Sequence, residues 1–130
     1  MAGNKLLLDT NVVIDILRGS AKIRSIIEQS SQTAIPSVVL GELYYGAFNS
    51  SDPKKHVAQI NDLLQIFETV EVNEEVAENY GTIKSELKKA GKPILENDIW
   101  IAATAKTNGF KLVTSDAHFN HILDLNLVNP

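Results

Sequence analysis

A chain of 130 residues supplies one domain's core, and its 44% apolar and 22% charged residues are those of a folded protein rather than a disordered one. The absence of cysteine excludes a disulfide framework, a thiol nucleophile and any thiolate-held zinc or iron–sulfur centre. Twelve basic against sixteen acidic side chains leave a net charge of −4, unlike the basic surplus of a plain nucleic-acid-binding module.

Lys5-Leu6-Leu7-Leu8-Asp9 is a short apolar run with a polar end, the pattern of a parallel strand covered on both faces. Thr10 is expected to cap a helix over Asn11–Leu17 that Gly19 stops. A second helix runs from Ser20 to about Gln29, with Ile23, Ile26 and Ile27 at helical spacing. Gln32–Ile35 reads as a strand, and Pro36-Ser37 introduces a helix through Phe48. Asp52-Pro53 is a carboxylate cap followed by proline in the first turn; Ile60, Leu63, Leu64 and Phe67 then form one apolar stripe. Val70-Glu71-Val72 is expected to be the third strand. Asn73 caps a long helix to Ala90, acidic early and basic late, that ends at Gly91. Another helix covers about Glu96–Thr107 before Gly109; Lys111–Val113 is a fourth strand, and Leu123, Leu125 and Leu127 alternate like an edge strand.

Strands alternating with helices predict an α/β domain spanning residues 1–130, in three layers around a central parallel sheet of four or five short strands. The longest unbroken apolar run, Ile99–Ala103, has five residues, against the roughly 20 that span a bilayer. The N-terminal residues, from Met1, show no signal-peptide pattern. A cytosolic protein without membrane contact is the expectation.

Open α/β sheets bind ligands beyond the carboxyl ends of their strands. Asp9 ends the first strand and Asp116 follows the fourth, so the two converge if those strands are neighbours. Glu42 and Asp98 sit in otherwise apolar helices, each in the first turns after a loop. Singly, such acids are ordinary caps or dipole partners. Together they are harder to dismiss: two carboxylates roughly 4 Å apart repel by about 1 kcal/mol in water and about 4 kcal/mol at an effective dielectric of 20. Four in one place call for a cation, and hard oxygen ligands without cysteine suit Mg²⁺ or Mn²⁺. With those four acids on an ion, the rest of the chain balances at twelve against twelve.

Four segments, in order, now carry a resemblance: Leu7 to Asp15; Pro36-Ser37 with Gly41-Glu42-Leu43 and Gly46; Asp98 to Ala105; and Val113 to Phe119. Together they resemble the PIN-domain ribonucleases, and within them the VapC toxins of bacterial toxin–antitoxin modules. The resemblance implies a PIN-like fold and an acidic pocket of Asp9, Glu42, Asp98 and Asp116 holding one or two divalent ions. Asp9 and Asp98 match the usual direct ligands, Glu42 and Asp116 complete the set directly or through water, and Asn11 and Thr114 match polar positions that orient the carboxylates or the phosphate. Asp15 matches a frequent family acid, though a solvated helix face explains it as well. The implied activity is endoribonuclease cleavage in which a metal-activated water attacks in line, leaving a 5′ phosphate and a 3′ hydroxyl. The implied partners are an RNA substrate, a cognate antitoxin whose tail covers the acids, and a second copy in a homodimer.

Other readings compete. His118 and His121, three apart after Asp116, suit a metal-free histidine mechanism, or simply one polar surface turn; sensitivity to EDTA separates the mechanisms. His56 has no evident partner and is expected to be exposed. Tyr44, Tyr45, Phe48 and Trp100 suit core, a protein interface or base stacking. A nonenzymatic receiver-like signalling module that binds Mg²⁺ through clustered acids needs an Asp ending the third strand and a Lys near the end of the last strands; Val72-Asn73 and Lys111 supply neither. A phosphatase with Asp-x-Asp after the first strand meets Asn11 at the second position.

Overall fold

The computed structural model describes residues 4–130, so the expectation drawn from the first residues, Met1–Gly3, lies outside it. Five parallel strands form one sheet in the order β3-β2-β1-β4-β5. They are β1 (Lys5–Leu8), β2 (Gln32–Pro36), β3 (Glu68–Val70), β4 (Lys111–Val113) and β5 (Leu127–Val128). The helices are α1 (Thr10–Leu17), α2 (Ala21–Glu28), α3 (Ser37–Phe48), α4 (Pro53–Leu64), α5 (Glu74–Ala90) and α6 (Glu96–Asn108), with a 3₁₀ turn at Ala117–His121. This is the expected α/β architecture with helices flanking a parallel sheet.

Leu6, Leu7 and Leu8 are fully buried, as are Ala34, Ile35, Leu112 and Val113 beside them. The central strands are therefore continuous apolar runs, because crossover helices cover both of their faces. Right-handed connections carry α1–α4 over one face as the chain steps from β1 to β3, and α5 and α6 over the other as it returns to β4. The chain thus reverses direction across the sheet between β1 and β4, and a crevice forms where neighbouring connections diverge.

Four expected boundaries move. Asp9, not Thr10, is the N-cap of α1, its carboxylate accepting from the Thr10 N–H; Thr10 is the first helical residue. α4 stops at Leu64 and the chain turns through Gln65–Phe67, so Phe67 packs on the core from outside the helix, and β3 is Glu68–Val70 rather than 70–72. Pairing decides this register: Ala34, Ile35 and Pro36 lie opposite Glu68, Thr69 and Val70. The Leu123–Leu127 alternation is not a strand over its length. Leu123 is exposed, Asp124 takes a left-handed conformation (φ 57°), and only Leu127–Val128 pairs with β4. The caps at Asp52 and Asn73 form as expected, and Gly91 and Gly109 end α5 and α6 with φ of 66° and 71°, where a side chain would be strained.

Candidate metal-dependent nuclease site

β1 and β4 are hydrogen-bonded neighbours, with Leu8 opposite Val113, and Asp9 N donates to Val113 O at 3.1 Å. The segments that leave the two strands therefore start side by side. Asp9 is buried, and both of its oxygens are occupied: Oδ1 accepts from Thr10 N at 2.8 Å and Oδ2 from Thr114 Oγ1 at 2.8 Å. The buried Thr114 hydroxyl also accepts from Asp116 N at 3.0 Å. One hydroxyl thus ties the first acid to the backbone of the last, across 105 residues of chain. Asp116 caps the 3₁₀ turn and accepts from both the backbone N–H and the ring Nδ1 of His118.

Glu42 lies in the first half of α3 and Asp98 in the first turn of α6, both half-buried. Helix starts favour carboxylates, but that effect loses here. Burial, then the charges of Asp9, Asp116 and Glu42 in that order, push the Asp98 carboxyl up to about 6, with His118 acting weakly against them. Burial also raises Asp9; the Thr114 and Thr10 hydrogen bonds oppose it and Asp116 adds to it. Glu42 is raised by burial and by Asp9, and held back by the neighbouring Thr10 hydroxyl and Asn97. Even so, Glu42 Oε1 and Thr10 Oγ1 are buried without completing a hydrogen bond of good geometry. Asp9 feels Asp116, Glu42 feels Asp9, and Asp98 feels all three of the others.

Among the described residues no three acidic or histidine side chains close on one point as ion ligands. The four acids lie near enough for Asp98 to feel the other three, without closing into a cage. Their chemistry nevertheless fits a hard divalent cation: every donor is carboxylate oxygen, a buried glutamate oxygen lacks a partner, and mutual repulsion raises the cost of their charges. Asn11 is exposed, and among the described residues no hydrogen bond joins it to the four acids; Asp15 is exposed on the helix face. Thr10, Asn97 and His118 stand at the site without having been singled out as its supports. The signal was adjacency, since each lies within two residues of one of the four acids. His56, expected to be exposed, is partly buried and its Nδ1 meets Gln59 Oε1 at 3.1 Å. With Thr10, Leu17, Arg18, Glu42 and Leu43 it borders a cavity of about 450 Å³ between α1, α3 and α4.

The receiver-like alternative finds no support in this geometry. β3 is an edge strand two positions from β1, no aspartate ends it, and Lys111 opens β4 at the end of the strand away from the acids.

The sequence profile of the PIN domain matches residues 6–124. The chain belongs to the PIN-domain family. This PIN domain is 38% identical over 128 residues to a protein named Ribonuclease VapC2 from Haemophilus influenzae, covering 96% of this chain and 97% of the relative. It is 31% identical over 114 residues to a tRNA(fMet)-specific endonuclease VapC from Shigella flexneri, covering 86% of each. Its fold superposes on the crystal structure of VapBC2 from Rickettsia felis bound to a promoter DNA fragment with a TM-score of 0.91, at 27% identity over 97% of this chain and 98% of that one. The VapC resemblance read from the four segments thus holds over nearly the whole length.

One consequence of this gathering of acids is a cost in stability. Asp98 has a folded-state pKa near 6 against 3.8 for an isolated aspartate, so the folded chain holds the proton more tightly than the unfolded one. Stability therefore falls as pH rises between about 4 and 6 and stays reduced above that. In metal-free protein at pH 7.5, Asp98→Asn raises Tm by about 4 °C, corresponding to roughly 1 kcal/mol once solvent screening of a half-exposed group is allowed for. The gain shrinks toward zero by pH 4. A calorimetric Tm series over pH checks this; a variant less stable than wild type at pH 7.5 contradicts it.

Proposed function

We propose that this PIN domain is a metal-dependent endoribonuclease, the toxin of a toxin–antitoxin pair, in which Asp9, Glu42, Asp98 and Asp116 hold Mg²⁺ or Mn²⁺. The observation that carries the reading is the coupling of Asp98 to all three other acids at the carboxyl edge of β1 and β4. Bound there, a divalent ion supplies an activated water for attack on the phosphodiester and offsets charge on the scissile phosphate. The chain's own residues do the holding. Thr114 and the Thr10 N–H lock Asp9 in one orientation, and α6 presents Asp98 from its first turn. Attack by water rather than by the ribose 2′ hydroxyl leaves a 5′ phosphate and a 3′ hydroxyl. Mapping the ends of cleaved RNA with and without EDTA tests the reading: 5′-phosphate ends that vanish with chelator support it. Cyclic phosphate ends made in EDTA would transfer the chemistry to the histidines.

The antitoxin is proposed to lay an apolar segment in the cavity between α1, α3 and α4, with a basic side chain reaching the unpartnered Glu42 oxygen. Solved relatives support this partner, being VapBC complexes. Gly46 lines that cavity, and a Cβ built on it meets no atom within 4 Å. Gly46→Leu therefore fills the cavity without disturbing the core, while helix propensity favours the variant by up to about 1 kcal/mol. A binding titration with the antitoxin should show at least tenfold weaker affinity; an unchanged Kd moves the antitoxin off this surface. A homodimer is proposed as well, with Tyr45 and Phe48 of α3, 72% and 66% exposed, supplying aromatic contact area.

A further inference from the structure

We infer that His118 is a positioning residue that locks Asp116 in one orientation, leaving a single carboxylate oxygen for the cation and so favouring Mg²⁺ or Mn²⁺ over Ca²⁺. The inference rests on the metal-dependent reading above. Asp116 Oδ1 accepts two hydrogen bonds from the same residue, one from the backbone N–H of His118 at 2.9 Å and one from its ring Nδ1 at 2.9 Å. A carboxylate only accepts, so Nδ1 carries the proton in this pair. The backbone bond alone is an ordinary cap of the 3₁₀ turn; the ring bond is additional. With two donors on Oδ1, the carboxylate is held against rotation and Oδ2 is the oxygen left for a ligand.

The rest of the segment reinforces this. Asp116 N is anchored on Thr114 Oγ1, which in turn holds Asp9 Oδ2, and the fully buried Phe119 pins the turn to the core. His118, Asp116, Thr114 and Asp9 are thus one connected chain of hydrogen bonds that ends on a proposed ligand. The His118 side chain is itself 68% exposed, so packing does not explain its orientation. Its neighbour His121 meets it edge-on at 6.2 Å, and among the described residues no hydrogen bond joins His121 to Asp9 or Asp116. One-oxygen coordination matters for metal choice. Mg²⁺ demands near-octahedral geometry from single oxygens, whereas Ca²⁺ readily takes both oxygens of a carboxylate.

The test reads metal binding without RNA. Metal-free wild type, His118→Ala, His118→Asn and Asp9→Asn are titrated with Mg²⁺, Mn²⁺ and Ca²⁺ by calorimetry at one pH. Loss of an outer partner of a ligand typically weakens binding 10–100-fold, so His118→Ala should bind Mg²⁺ and Mn²⁺ about tenfold more weakly, with Ca²⁺ affinity equal or higher. His118→Asn, whose amide nitrogen stands near the place of Nδ1, should recover most of the loss. Mg²⁺ affinity within twofold of wild type in His118→Ala overturns the inference, as does an equal loss in the alanine and asparagine variants. Asp9→Asn separates the two levels. If it loses the ion and His118→Ala does not, only the role of His118 fails; if it binds as wild type does, the metal reading fails and takes this inference with it.

Discussion

Asp9→Asn and Asp98→Asn each lower RNA cleavage by at least about a thousandfold in kcat/KM, or ~4 kcal/mol of transition-state stabilisation, while the protein still folds. The substitution keeps the shape and removes one charge. At position 9 the asparagine oxygen still accepts from Thr10 N, and its amide can donate to Thr114 Oγ1, so both of the hydrogen bonds that hold this side chain have a replacement. At position 98 the change relieves repulsion from three acids. Neither variant loses core packing, so a loss of activity in a protein with wild-type circular dichroism belongs to the site. Growth toxicity on expression should vanish in parallel. Full activity in both variants refutes the assignment.

Phe119→Ala is expected to cost about 3–5 kcal/mol, out of the 5–15 kcal/mol that holds a typical domain folded. Among the described residues Phe119 is the largest of the fully buried side chains, and it is the one buried member of the 3₁₀ turn. Its ring is what ties Ala117–His121, and with it the Asp116 cap, to the sheet. Denaturant unfolding gives the magnitude. The matched control is Leu123→Ala, only a few residues on but 63% exposed, which should lie within about 0.5 kcal/mol of wild type. A cost below about 1 kcal/mol for Phe119→Ala means the turn is held by something other than its ring. Because the turn also orients Asp116, divalent-ion affinity should fall in Phe119→Ala well below its melting temperature.

Three of the four candidate acids break a local pattern, and Asp116 is marked only by its place after the fourth strand. Asp9 interrupts the run Leu6-Leu7-Leu8, and Glu42 and Asp98 stand in apolar helices. Their supports were less legible. Thr114 matched a family position, whereas Thr10 was read as a cap, although the residue before it caps α1 and Thr10 lies beside Glu42. His118 and His121 read alike in the sequence, as two polar residues of one surface turn; which of them bonds Asp116 depends on the 3₁₀ geometry that brings the His118 ring to Oδ1. His56 is partly buried rather than exposed, and the cavity it borders is shared with residues of α1 and α3 that lie far away in the sequence. The start of β3 was missed for a related reason: Glu68 and Thr69 are exposed on an edge strand, so no apolar signal marks them, and only pairing with β2 makes them strand.

By itself the sequence determined the kinds of element, most of their caps, the three-layer class and the presence of acids at the strand ends and helix starts. These follow from short-range physics, the period of apolar residues and the hydrogen bonding of a few caps, which act within a turn or two of chain. Only the tertiary structure decided that β4 lies against β1 and that Thr114 hydrogen-bonds Asp9. The partner of a parallel strand is chosen by long-range packing, since the two strands are joined through intervening helices and no local pattern names the neighbour. The same long-range choice decided that one aspartate, Asp98, must share its surroundings with three other charges.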